Sequence, residues 1–169
     1  MTIFNRLASD MLLMFRRPAR MQCAALCYRF HKKTGEPEML VITSRDTGRW
    51  VIPKGWPMEG KTSAQAAARE AYEEAGVKGI VSEEMAGSYM YEKGMNGGLK
   101  VPCRVQVYPL VVTDMLKHFP ERGSRKLDWV SFAEAAARVA EPGLKALIEQ
   151  FDKELTATMH QGAATGLSA

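Results

Sequence analysis

Two hydrophobic periodicities divide this chain into strands and helices. Apolar residues occupy every second position of 101–107, which is the period of a half-buried strand. Shorter apolar runs are bounded by turn residues and predict further strands. These runs cover residues 21–30, 39–44, 50–52, 77–81, 86–91, 110–112 and 127–130. We therefore expect strands along most of the chain, with helices between and after them.

The clearest helix lies between Thr62 and Gly76. Thr62 and Gln65 have the spacing of a capping box, in which each side chain bonds the other residue's backbone amide. Gly76 supplies the C-terminal stop. Alanines recur between these ends at helical spacing, at positions 64, 67, 68, 71 and 75. Because this face is almost all alanine, the helix must lie close to whatever it packs on.

Two further helices follow the last predicted strand. Ser131 and Glu134 repeat the capping pattern and predict a helix that ends near Val139. Pro142 opens an amphipathic helix whose apolar positions continue to Leu155. This mixture indicates an α/β fold class, in the broad sense that includes α+β, with helices packed on a mixed sheet.

Composition divides the chain into three segments. Residues 1–19 predict an amphipathic helix docked on the body, residues 20–158 one folded domain, and residues 159–169 a flexible tail rich in small residues. A length of 169 residues, 46% of them hydrophobic and 25% charged, is typical of one soluble domain. The three cysteines form no CxxC pair, which argues against a disulfide framework and a structural zinc site. Without an apolar run of transmembrane length or a signal-peptide pattern, we expect a cytoplasmic location and no membrane partner.

Charge is distributed unevenly along the chain. The net charge is +4, but residues 1–33 carry seven basic residues and one acid, and residues 93–126 carry seven and two. The remainder of the chain is acidic, with 9 basic and 16 acidic residues. The chain therefore has two basic segments around an acidic middle, and its basic excess tilts toward anionic partners.

Three glutamates concentrate the candidate chemistry. Glu70, Glu73 and Glu74 stand at i, i+3 and i+4 and so share one face of the predicted helix. A divalent cation would relieve their repulsion, because carboxylate oxygens suit Mg²⁺ or Mn²⁺. The preceding loop can add backbone carbonyls, since Gly55 and Gly60 let the backbone approach closely. The alternative is an ordinary solvated helix face.

These residues resemble the Nudix box, a Gly-x₅-Glu-x₇-Arg-Glu-apolar-x-Glu-Glu-x-Gly-apolar pattern. Gly55 begins the match, and the rest falls in register on Arg69, Glu70, Ala71, Glu73, Glu74, Gly76 and Val77. Lys61 departs from the pattern, because the family usually has glutamate there. Length and order make the resemblance specific, and the flanking strands extend it over about 20–155.

The resemblance implies a Nudix-type α/β/α sandwich that hydrolyses a diphosphate linked to another group. It implies Mg²⁺ or Mn²⁺ held by Glu70 and Glu74, with the carbonyl of Lys54 or Gly55 completing the shell. Glu73 would be a ligand or the general base, and Arg69 would orient the glutamates by salt bridging. Glu92 and Glu121 are alternative bases that could reach the site from loops.

Residues outside the box narrow the substrate. Ser44-Arg45 before it and Arg125-Lys126 after it resemble the diphosphoinositol polyphosphate phosphohydrolase branch, whereas Pro53-Lys54-Gly55 is more similar to diadenosine polyphosphate hydrolases. A highly phosphorylated small substrate needs several cations. The predicted substrate-binding residues are Arg20, Arg45, Lys54, Trp56, Arg125 and Lys126.

Two alternative functions and the oligomeric state stay open. An RNA 5′-end or nucleoside triphosphate pyrophosphohydrolase would use the same box, but no aromatic platform for RNA bases is visible, which disfavours a nucleic-acid partner. A non-catalytic, ligand-binding regulator is kept only because of Lys61. A homodimer is also compatible with the sequence.

Overall fold

Eight strands and three helices make up the computed structural model, which describes residues 18–165. The strands are β1 (Arg20–Phe30), β2 (Pro37–Thr43), β3 (Trp50–Val51), β4 (Lys54–Gly55), β5 (Val77–Val81), β6 (Gly87–Gly94), β7 (Lys100–Met115) and β8 (Leu127–Ser131). The helices are α1 (Ser63–Ala75), α2 (Phe132–Arg138) and α3 (Pro142–Thr165). A short 3₁₀ turn lies at Asn96–Gly98. Every strand and helix predicted over residues 21–155 is present.

One mixed sheet contains all of these strands. β1 lies at its centre and runs parallel to β7, with Arg20 opposite Cys103 and Tyr28 opposite Val111. Its other edge pairs antiparallel with β2 and β4. The path through the sheet is β3-β2-β1-β7-β5, while β6 pairs with β7 and β8 pairs with β2. The predicted mixed sheet is therefore confirmed.

Alternate residues of the central strands point into two separate cores. On one side, Ala25 and Cys27 of β1 pack with the alanines of α1. On the other side, Ala24 and Leu26 pack with apolar residues of α2 and α3. Because side chains alternate across a strand, both faces of the sheet are covered by helices. The predicted α/β/α sandwich is confirmed.

Local sequence sets both ends of α1. The Gln65 amide donates to Thr62 Oγ1 at 3.1 Å, and the Thr62 amide donates to Gln65 Oε1 at 3.0 Å. Gly76 ends the helix in the left-handed region at φ 68°, and a Cβ there would lie 2.8 Å from the Leu116 carbonyl oxygen. A larger residue at 76 would therefore be strained and would also clash.

The two ends of the chain bear differently on the predictions. Residues 1–17, which contain most of the predicted N-terminal helix, lie outside the described residues. α3 continues to Thr165, so the tail predicted from 159 begins inside a helix, and 158 is not the end of an element. Met159, Gln161 and Ala163 are good helix formers, which accounts for the continuation. Within residues 18–165, no helix is long and apolar enough to cross a membrane.

Candidate active site

A two-residue strand brings the glycine of the box against α1. Lys54 and Gly55 pair with Ala24 and Cys23 of β1, whereas the sequence predicted a loop here. Pro53 strengthens the pairing, because its carbonyl accepts the Ala25 amide at 3.0 Å. A Cβ at position 55 would overlap the Glu70 carboxylate. The close approach of backbone and carboxylate therefore requires glycine.

The three glutamates of α1 have different surroundings. Glu74 is buried, with only 6% of its surface exposed. Glu70 is partly buried and faces Gly55. Glu73 lies nearer the surface and accepts a hydrogen bond from Arg69 Nε at 2.7 Å. The ion pair expected of Arg69 is thus present, and it involves one glutamate.

The connection between β7 and β8 closes over the C-terminal end of α1. The Leu116 amide donates to the Gly76 carbonyl at 2.8 Å, and the Glu121 amide donates to the Glu73 carbonyl at 2.9 Å. These bonds satisfy carbonyls that have no partner within the helix. They also carry Glu121 and Arg125 to the glutamates of α1.

Arg125 lies among carboxylates in the interior. Its Nη2 is 3.2 Å from Glu74 Oε1 and 3.5 Å from Glu121 Oε1, and its Nη1 donates to the Thr43 carbonyl at 3.1 Å. Side-chain exposure is 9% for Arg125 and 7% for Glu74. Arg45 Nη1 reaches the same Glu121 oxygen at 3.1 Å from the exposed edge. Two of the predicted substrate-binding cations are therefore paired with carboxylates of the site.

Burial disfavours the ionised form of the Glu74 and Glu70 carboxylates. It raises the pKa of Glu74 to about 7, although the Arg125 guanidinium opposes the effect. Burial also raises the pKa of Glu70, and the negative charges of Glu73 and Glu121 add to the rise. An additional cation at this point would stabilise the ionised forms.

The donor chemistry of the site fits a hard divalent cation. Glu70, Glu73, Glu74 and Glu121 offer carboxylate oxygens, and Gly55 leaves room beside Glu70 that a Cβ would fill. Within residues 18–165, however, no three acidic, histidine or cysteine side chains are already arranged to hold a metal. Arg69 holds Glu73 and Arg125 holds Glu74. Binding would therefore require side-chain reorientation, and the predicted ligand set stays a prediction.

Lys54 forms a second wall of the site. Burial lowers the pKa of Lys54, and the negative charges of Glu74 and Glu141 oppose that shift. Its Nζ lies 5.2 Å from the Tyr91 ring centroid, and the Tyr91 hydroxyl donates to Gln22 Oε1 at 2.7 Å. Glu141 is buried, and its Oε2 has no hydrogen-bond partner.

Sequence reasoning missed these neighbours of Lys54. Glu141 carried one signal, because it directly precedes Pro142 and so marks a helix start, where acids are favoured. Tyr91 and Gln22 carried no local signal. The two residues are 69 positions apart in the sequence, and they meet only because β1 and β6 both flank β7.

The remaining predicted binding residues lie toward the surface. Lys126 has an exposed side chain, and its amide donates to Thr43 Oγ1 at 2.9 Å. Arg20 is exposed at the first residue of β1. Trp56 is 39% exposed, and Lys93 Nζ lies 5.9 Å from its ring centroid. The structure thus gathers Arg45, Lys54 and Arg125 around the glutamates, whereas Lys126, Arg20 and Trp56 stay candidates at the surface.

A glutamate-bearing helix seated on a glycine strand, inside an α/β/α sandwich, is the arrangement expected from the sequence resemblance. The NUDIX domain model matches residues 20–151. This match covers most of the chain, which therefore belongs to the NUDIX family.

Individual relatives agree with this membership. Nudix hydrolase 16, mitochondrial, from Arabidopsis thaliana is 34% identical over 69% of this chain and 66% of its own length. Human diphosphoinositol polyphosphate phosphohydrolase 3-alpha is 32% identical over 68% of this chain and 65% of its own length. The chain thus spans somewhat less than two thirds of these curated relatives. A C. elegans Ap4A hydrolase structure shares the fold with a TM-score of 0.64 and 22% identity, over 82% of this chain and 99% of that one.

Proposed function

We propose that this chain is a metal-dependent Nudix hydrolase that cleaves a phosphoanhydride bond in a highly phosphorylated substrate. Diadenosine polyphosphates and diphosphoinositol polyphosphates are the substrates we expect. The observation that carries the proposal is the contact between Gly55 and Glu70, beside the buried Glu74. Backbone and two carboxylates come together there, which supports a cation site once the carboxylate side chains reorient.

The residues divide the work as follows. Glu70 and Glu74 would hold Mg²⁺ or Mn²⁺ together with the carbonyl of Lys54 or Gly55. The bound cation would neutralise developing phosphate charge and lower the pKa of water. Glu73 is the proposed base, and Arg69 orients it through their 2.7 Å contact.

The two alternative bases differ in position. Glu121 lies beside Arg125 and Arg45 at the site, so it is the stronger alternative to Glu73. Glu92 directly follows Tyr91 in β6, and neighbouring residues of a strand point to opposite faces. Since the Tyr91 ring faces Lys54, Glu92 points away from the site.

Several cations at the site support a substrate with many phosphates. Arg45, Lys54 and Arg125 lie around the carboxylates, and Lys126 adds a charge at the rim. Arginine and lysine replace the counterions of a polyphosphate chain. The 32% identity with a human diphosphoinositol polyphosphate phosphohydrolase points to the same class. A cytoplasmic location and a homodimer stay predictions.

A substrate panel tests the proposal. Full-length protein is incubated with Mg²⁺ or Mn²⁺ and a diadenosine polyphosphate, an inositol pyrophosphate, a nucleoside triphosphate or 5′-triphosphorylated RNA. We expect metal-dependent cleavage, fastest on one of the first two substrates. Preference for the triphosphate or RNA would refute the substrate class. Tight binding without turnover on every substrate would indicate a ligand-binding regulator instead.

A further inference from the structure

Arg125 occupies the position beside Glu74 that a divalent cation would need. We propose that Arg125 is the resident counter-ion of Glu74 and Glu121, and that it gives way when a divalent cation binds. Cation and guanidinium would then compete for the same carboxylates. The inference rests on the proposed function only in taking Glu74 as a metal ligand.

The ion pairs of Arg125 with Glu74 and Glu121 are long. One nitrogen, Nη2, serves both Glu74 Oε1 at 3.2 Å and Glu121 Oε1 at 3.5 Å. Charge-assisted hydrogen bonds are normally shorter, about 2.7–2.9 Å, and the Arg69–Glu73 pair of the same helix reaches 2.7 Å. Arg125 is therefore held by charge in a buried setting, and its contacts are poor enough to be exchanged.

Arg125 also has a hydrogen-bond donor, its Nε, that is not used. The Nε of Arg125 is buried and has no hydrogen-bond partner in the protein. Only 9% of the side chain is exposed. A buried donor without an acceptor is unfavourable. The position that Arg125 occupies therefore does not satisfy the whole guanidinium group.

Only one edge of the Arg125 guanidinium would be released if a cation bound Glu74. Nη1 is anchored on the Thr43 carbonyl at 3.1 Å. Nε and Nη2 form the opposite edge, and two adjacent N–H groups match two oxygens of one phosphate. If a cation takes over Glu74, this edge is released toward the substrate while the anchor on Thr43 is kept. Arg125 would thus become available to a phosphate once a cation is held by Glu74.

Metal affinity without substrate tests the competition. Titration calorimetry with Mn²⁺ compares wild type with Arg125→Met, which keeps the apolar stem and removes the charge. A neighbouring cation typically weakens proton binding to a carboxylate by about tenfold or more, and a metal ion faces the same opposition. At a pH high enough to keep Glu74 ionised in both proteins, we therefore expect Arg125→Met to bind Mn²⁺ about tenfold more tightly, and Mn²⁺ to raise its Tm by more than it raises that of wild type.

Arg45→Met is the matched control. It removes the same charge next to Glu121, but Arg45 is exposed and its ion pair is with Glu121 rather than with Glu74. Its Mn²⁺ affinity should stay close to that of wild type. Unchanged or weaker Mn²⁺ binding by folded Arg125→Met would overturn the proposal, and so would an equal gain in Arg45→Met.

Wild-type protein provides a test that does not depend on a stable variant. The buried Arg125 Nε–H gives an NMR signal that is assigned by its loss in Arg125→Lys. We expect the signal to shift on addition of Mg²⁺ and to saturate with metal binding. A signal unaffected by bound Mg²⁺ would contradict the exchange. If these results hold but no substrate is turned over, the proposed function fails and the exchange stands.

Discussion

Gly55→Ala isolates the contact on which the candidate site depends. The added methyl group would overlap the Glu70 carboxylate, including Oε2 at 2.7 Å. Gly55 does not occupy the left-handed region, so alanine fits the backbone without strain. The perturbation therefore acts on the Glu70 side chain and leaves the path of the chain unchanged.

The size of the effect follows from that overlap. Carbon and oxygen atoms in contact normally lie about 3.5 Å apart or more, and the other atoms of the carboxylate lie closer to the added methyl group than Oε2 does, so the Glu70 carboxylate must withdraw by more than about 1 Å. A misplacement of about 1 Å in a catalytic arrangement can lower the rate by about 100-fold. Stability should change by less than about 1 kcal/mol, because the displaced group is the end of a flexible side chain.

Steady-state turnover and urea unfolding measure the two quantities separately. Gly94→Ala is the matched control, since a Cβ there meets nothing within 4 Å and the residue lies at the end of β6. We expect turnover to fall about 100-fold in Gly55→Ala and to stay near wild type in Gly94→Ala. Equal activity of the two variants would refute the reasoning that backbone and Glu70 must meet.

Three further predictions test the cap of α1, the core and the rim of the site. Thr62→Ala should lower the free energy of unfolding by about 1 kcal/mol, because the Gln65 amide loses Thr62 Oγ1 as its acceptor while the Thr62 amide keeps its bond to Gln65 Oε1; a urea midpoint equal to wild type would contradict this. The three cysteines are buried, and burial raises the pKa of the Cys23 and Cys27 thiols. A thiol reagent should therefore label the protein only in urea. Rapid labelling of the native protein would instead show that the core opens easily. Lys126→Ala should raise KM for a polyphosphate more than for a nucleoside diphosphate, with the exposed Lys153→Ala as control, and an equal effect on both substrates would assign Lys126 to ordinary surface charge.

Local sequence determines much of the fold. Both ends of α1 were predictable because the side chain of Thr62 and the freedom of Gly76 act within a few residues of the helix end. β4 was not predictable in the same way. Lys54 and Gly55 carry no strand pattern, and they become a strand only by pairing with Ala24 and Cys23 of β1.

The candidate site divides along the same line. The register of Glu70, Glu73 and Glu74 on one helix follows from their spacing, and the family resemblance led us to expect the ion pair that Arg69 makes with Glu73. The spacing did not distinguish Glu74 from its neighbours, although Glu74 alone of the three is buried. Its burial depends on Arg125, far along the chain, and on the β7–β8 connection that closes over α1. Such differences between similar residues arise from tertiary contacts.

The central claim is that Glu74 and a divalent cation together support phosphoanhydride hydrolysis. The most direct measurement compares wild type with Glu74→Gln on the best substrate of the panel, each with Mg²⁺ and with EDTA, alongside circular dichroism of both proteins. We predict turnover only for wild type with Mg²⁺, and the same folded spectrum for the variant. Near-normal Mg²⁺-dependent turnover in folded Glu74→Gln would contradict the account.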